Sequence, residues 1–185
     1  MGVTLAFLMD RTTTITNTFT IGSVDIDLTE TKGTLENDLR TFKMVPGSTI
    51  EKDPTVTVKN KSEACWLFVK IEEGANTYES GGVSEKFITY AIADGWTALA
   101  GVDGVYYREV AATTADMPFS VLKDNQVKVS DGITKEVADT LIAAGTTYPT
   151  LSFTAYAVQR DTVVATAADA WSVATTGALP ANNGD

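Results

Sequence analysis

The chain contains no histidine. That absence removes the commonest general base, the commonest zinc ligand and every Ser-His or Cys-His nucleophile pair. Cysteine is almost missing too: with Cys65 alone, neither an intramolecular disulfide nor a Cys-x-x-Cys metal site can form. Cys65 lies in the apolar run Ala64-Cys65-Trp66-Leu67-Phe68-Val69, which assigns it to packing as a small hydrophobe, a reactive or intermolecular thiol being the alternative. Positive charge is scarce, with 14 Lys and Arg against 24 Asp and Glu and a formal charge of −10. A phosphate backbone or an anionic bilayer repels such a chain, so nucleic acid is not an expected partner. No apolar run approaches the roughly 18 residues of a membrane helix, and Met1 to Met9 lacks the basic start of a signal peptide. No membrane insertion is expected.

What the chain does hold is threonine, at roughly one residue in six, which with Val, Ile, Tyr and Phe favours half-exposed pleated backbone. A length of 185 residues fits one domain able to bury roughly 70% of its unfolded surface without a disulfide or metal. From Thr12 to Thr20 the apolar residues Ile15, Phe19 and Ile21 take odd positions; after Gly22-Ser23 the apolar set moves to even positions at Val24, Ile26 and Leu28. That parity flip predicts a bulge or a sheet corner. Leu39 to Pro46 reads as a connection closed by the turn Val45-Pro46-Gly47, and Thr55 to Lys59 as a half-buried strand. Cys65 to Ile71 is apolar on both parities, as in a central strand covered on both faces.

Further strands are predicted over Lys86 to Ala93, Val105 to Val110, Phe119 to Leu122, Val127 to Val129 and Thr150 to Gln159. Ile133, Val137, Leu141 and Ile142 follow helical spacing, with Asp131 or Thr134 as N-cap and Gly145 past the end. Val164, Ala167, Ala168 and Trp171 repeat that spacing, and the tail from Thr175 to Asp185 reads as loosely held. The expected fold is a mainly β, jelly-roll-like antiparallel β-sandwich with one or two short helices packed on it. No linker or repeat divides it, so residues 12–175 form a single domain, preceded by a strand at 1–11 and followed by a tail at 176–185.

Chemistry is sparse. Asp94 with Asp103, or Asp25 with Asp27, could offer oxygen ligands to calcium, but Asp25 and Asp27 alternate with apolar residues as a solvated strand face does. There is no Gly-x-Ser-x-Gly elbow, Ser-x-x-Lys or His-Glu-x-x-His, and the glycines at Gly81-Gly82 and Gly101 to Gly104 lack the Lys-Ser/Thr of a phosphate loop. No catalytic, cofactor-binding or metal-binding residue is assigned, and the chain reads as a non-enzyme. Trp66, Trp96, Trp171, Tyr106 and Tyr107 could form a ligand platform, though aromatics in alternating strands usually pack.

The N-terminus carries the sharpest pattern. Val3, Leu5, Phe7 and Met9 form a row of large apolar knobs, opposite the small or polar Gly2, Thr4 and Ala6. No hairpin partner stands beside this strand in the sequence. A strand of that kind can close its own sandwich, or it can fill the groove of the next subunit and build a fibre by strand donation.

Three stretches together resemble the TasA and camelysin family, exported proteins of Gram-positive bacteria processed by the SipW-type signal peptidase. The first is Ala6-Phe7-Leu8-Met9-Asp10, with Asn17-Thr18-Phe19, Gly22 and Val24-Asp25-Ile26-Asp27-Leu28. The second is Val45-Pro46-Gly47-Ser48 leading into Thr55-Val56-Thr57-Val58-Lys59-Asn60. The third is Cys65-Trp66-Leu67-Phe68-Val69-Lys70-Ile71 with Tyr106-Tyr107-Arg108, and Thr150 to Gln159 continues the likeness. The resemblance implies a jelly-roll-like sandwich, export to the cell surface or biofilm matrix, and assembly into head-to-tail homopolymeric fibres. In these the N-terminal strand of one subunit, with Val3, Leu5, Phe7 and Met9 as its knobs, completes the next. It also implies that residues before about Ala6 are a remnant of the signal region. The rival expectations are a monomeric surface adhesin and, from the metalloproteases placed in the camelysin group, a protease.

Overall fold

A computed structural model describes residues 7–13, 19–21, 23–36, 39–145 and 148–177. The fold is a β-sandwich. One layer is a five-stranded sheet in the order β12 (Thr97–Ala98), β13 (Val105–Val110), β8 (Cys65–Gly74), β16 (Thr150–Gln159) and β2 (Phe19–Ile21). Two three-stranded sheets face it: β14 (Met117–Ser120), β7 (Thr55–Val58) and β3 (Ile26–Thr29), then β11 (Ile88–Thr89), β15 (Gln126–Val129) and β6 (Thr49–Glu51). A third set joins β1 (Phe7–Thr13), β5 (Leu39–Met44) and β4 (Thr34–Glu36), and β9 (Thr77–Ser80) pairs with β10 (Val83–Lys86) as a hairpin.

The centre of the sandwich is β8, which pairs antiparallel with β13 from Cys65 to Lys70 and with β16 from Cys65 to Gly74. Its odd residues Cys65, Leu67, Val69 and Ile71 meet Val24, Ile26, Leu28, Val56, Val58 and Phe153 in the main core. Its even residues Trp66 and Phe68 form a second core with Val105, Val158, Ala170 and Val173 under helix α2 (Ala167–Thr176). Both parities are therefore buried, as the unbroken apolar run predicts. Trp171 anchors α2, its ring centroid lying 5.4 Å from that of Phe68 and 5.1 Å from that of Tyr156. Helix α1 (Lys135–Ala143) is capped by Thr134, whose hydroxyl accepts from the Val137 amide at 3.3 Å, and Gly145 follows at φ +63°.

The parity flip near Gly22-Ser23 falls where the chain leaves the five-stranded sheet at Ile21 and enters the opposing sheet at Ile26. Three readings need correction. Leu39–Met44 is a strand, not a connection, because its even row, Arg40, Phe42 and Met44, runs along one face while Arg40 and Lys43 hide the alternation. The second helix starts at Ala167 rather than Val164: Asp161 accepts from the amides of Val163 and Val164 and turns the chain, and Thr166 then caps. That helix also continues through Thr175 and Thr176, with Gly177 closing it at φ +71°, so the held chain reaches beyond 175. Residues 178–185 lie outside the described residues. No described helix is long and apolar enough to cross a membrane.

Removing the Phe68 ring empties the space between β8 and α2, and Phe68→Ala should lower unfolding free energy by about 3–5 kcal/mol. Urea titration followed by circular dichroism measures it. A loss below about 1 kcal/mol would mean that α2 does not press on this face.

Candidate functional site

The region of interest is the seam between β5 and β16. Along β3 the alternation Val24, Ile26, Leu28 continues inward to Glu30, and before β7 the row Val58, Val56, Pro54 continues to Lys52. The register pairs Ile26 with Val58 and Leu28 with Val56, so extending it brings Glu30 and Lys52 together as diagonal neighbours at the end of the two rows. Lys52 Nζ donates to Glu30 Oε1 at 2.7 Å, with the two side chains only 4% and 0% exposed. The ammonium lies 4.6 Å from the ring centroid of Phe42 on β5 and 5.3 Å from that of Phe153 on β16. Burial pulls the Lys52 pKa below its ordinary value, against the opposing pull of Glu30.

A polar belt surrounds this pair. Asp53 Oδ1 accepts from the amides of Thr31 and Lys32 at 2.9 Å each, and Arg40 Nη1 on β5 donates to the carbonyls of Thr31 and Lys32 at 3.1 Å. Partial burial pushes the Asp53 carboxyl upward, but hydrogen bonds from Thr31 and Lys32 outweigh it and hold the group below the usual range. Arg40 thereby ties β5 to the loop after β3.

The leading strand crosses this seam. β1 pairs antiparallel with β5, Phe7 opposite Met44 and Met9 opposite Phe42, and its backbone also approaches β16. The register shifts between Asp10 and Thr12, a bulge that ends the regular alternation after Met9. Directly opposed residues of an antiparallel pair share a face, so Phe7 and Met9 take register positions on the face that carries Met44 and Phe42. Farther along, β2 pairs with β16 in parallel, Phe19 opposite Tyr156 and Ile21 opposite Val158. Of the four knobs read from the sequence, Phe7 and Met9 thus come to the β5 edge of their own chain, and Val3 and Leu5 lie outside the described residues. The strand continues to Thr13, two residues beyond the expected boundary.

The remaining candidates are dispersed. Cys65 is fully buried and its thiol is pushed up to about 11 by burial, which suits a packed hydrophobe and not a nucleophile. Asp27 pairs with Lys59 at 3.3 Å, while Asp25, Asp94 and Asp103 are exposed. Among the described residues no group of three or more His, Cys, Asp or Glu is placed to hold a metal ion. Trp66, Tyr107 and Trp171 pack around Phe68, and Trp96 and Tyr106 pack against the main core, so these aromatics do not form one platform. The chain matches no family model, no curated protein and no solved structure.

Sequence reading stopped the alternating rows short of the pair, one step early at Leu28 and two steps early at Val56. The signal was present in the unbroken parity that carries Glu30 and Lys52 inward. Because the pair is buried, Lys52→Met alone should lower stability by about 3–5 kcal/mol by taking the ammonium away from a desolvated carboxylate, whereas Lys52→Met with Glu30→Leu should recover most of that loss. Equal urea midpoints for the single and double variants would show that the two charges do not depend on each other.

Proposed function

We propose that this chain is a non-enzymatic structural subunit of an extracellular matrix or surface fibre, which polymerises by lending its N-terminal strand to the next copy. The observation that carries the reading is the placement of β1 and β2. Both pair with strands distant in sequence, β5 and β16, and the second pairing is parallel where every other described strand pairing is antiparallel. A segment joined to the body through one short stretch before β3, and bound by strand pairing, can leave one seam and enter an identical one at little net change in contacts. The motif resemblance supplies the expectation of export and of a matrix setting.

A second reading rests on the same pairing. Since β1 lies on β5 of its own chain, this reading is a closed monomer, and its role as an exported surface protein rests on the motif resemblance alone. The two readings separate through a covalent trap. Leu8 and Lys43 stand directly opposite across β1 and β5, so Leu8→Cys with Lys43→Cys places two thiols for an interstrand disulfide, and buried Cys65 does not compete. After concentration and oxidation, strand exchange gives a ladder of covalent multimers on denaturing gels. A single band at the mass of one chain contradicts the fibre and leaves the monomer.

A further inference from the structure

Independently of that reading, one cation stands out. Of the described lysines and arginines, Lys32, Lys52, Lys59, Lys70, Lys86, Lys135 and Arg160 pair with carboxylates, and Arg40 donates to two carbonyls. Lys43, Lys61, Lys123 and Lys128 are exposed to water. Among the lysines and arginines whose side chains are described, Arg108 alone is partly buried and has no acidic or hydrogen-bonding partner, in a chain with 24 acidic residues.

Its guanidinium is nevertheless held in place. Arg108 lies on the inward face of β13, opposite Leu67 of β8. The register that pairs Thr97 with Tyr107 and Ala98 with Tyr106 brings Trp96 opposite Arg108 when extended by one residue. The guanidinium carbon sits 5.3 Å from the Trp96 ring centroid and 4.0 Å from that of Phe119 on β14, the margin strand of the facing sheet. Trp96 is itself fixed, its indole N–H donating to the Ser120 carbonyl at 2.8 Å. Nη2 fits over Gly95, where a Cβ would come within 2.6 Å of it and where φ is +86°. The Nε–H is fully buried with no acceptor. Two aromatic rings and a glycine therefore hold a charged planar group whose Nε–H is closed off from solvent, so that an incoming ligand would meet its Nη edge.

We propose that Arg108, clamped between Trp96 and Phe119 at the lateral margin of the sandwich, is a binding site for the carboxylate group of a ligand. A carboxylate is planar and can accept two parallel N–H bonds from one guanidinium. The stacked rings fix the fork beforehand, so little side-chain entropy is lost on binding. The negative field of the whole chain opposes a doubly charged phosphate more than a singly charged carboxylate. The carboxylate could come from a free small acid or from an Asp or Glu side chain of another polypeptide.

The test follows the Arg108 Nε–H and Trp96 indole N–H resonances of the full ¹⁵N-labelled chain at constant ionic strength. Sodium acetate is one probe, a short glutamate-containing peptide a second, and inorganic phosphate and chloride are comparisons. Saturable shifts of both resonances with acetate, half-complete at millimolar concentration and absent with chloride, are expected. Tenfold tighter binding of the peptide at equal carboxylate concentration identifies a polypeptide as the source; equal affinity identifies a free acid. Arg108→Lys, which keeps the charge and loses the fork, should abolish the Trp96 response. Trp96→Phe, which keeps a ring over the fork, should retain the Arg108 shift if Arg108→Lys fails to fold. Linear, non-saturating shifts, or equal shifts with chloride or phosphate, overturn the proposal.

Discussion

Glu30 and Lys52 are brought out of water together at one end of the core, in direct contact with each other. Desolvating a single carboxylate or ammonium costs several kcal/mol, which close contact and hydrogen bonding at 2.7 Å offset in part, and that attraction is strongest while the surroundings stay dry. The sheet layers meet that condition from two sides, through Phe42 on β5 and Phe153 on β16. β1 runs in the seam between those two strands. The leading strand and the pair thus meet the same two strands, β5 and β16.

That arrangement bears on the proposed exchange. An apolar replacement of a buried ion pair is often as stable or more so, so the pair does not explain the strength of the seam. It does define where the seam must close, since two charges tolerate few registers that two leucines would accept. In the exchange we propose, a departing strand would let water reach the pair and recover part of its hydration. Opening would then be less costly than for an oily seam of equal area, while the incoming strand of a neighbour would restore the same contacts. The bulge after Asp10 adds a second register mark, because a one-residue slip past it would turn the alternation over.

Much of this fold was legible in the chain because strong local signals agree with the tertiary environment. Cys65 to Ile71 is apolar on both parities and lies between two cores; Val105–Val110 and Thr150–Gln159 are strands with the expected ends; Thr134 caps α1. What was missed lies where charge interrupts the period or where only the third dimension supplies a partner. Arg40 and Lys43 disguise β5, and Arg40 reaches back to two carbonyls that no sequence window connects with it. The hairpin β9–β10 is marked in the sequence only by Gly81-Gly82, for β10 is exposed throughout and has no buried row to announce it. Glu30 and Lys52 continue apolar rows as charged residues, which composition alone assigns to the surface. In the sequence Arg108 is marked only by its place after Tyr106 and Tyr107; its lack of an acidic partner among the described residues is a property of the folded chain.

In the fibre we propose, residues Phe7 to Thr13 are an exchangeable part of the seam. Sedimentation velocity and electron microscopy of the full chain beside a chain lacking residues 1–13, both at rising concentration, test it most directly. Strand exchange predicts fibres from the full chain and only short or monomeric species from the truncated one. A full chain that stays monomeric at every concentration, or a truncated chain that forms equally long fibres, would contradict it.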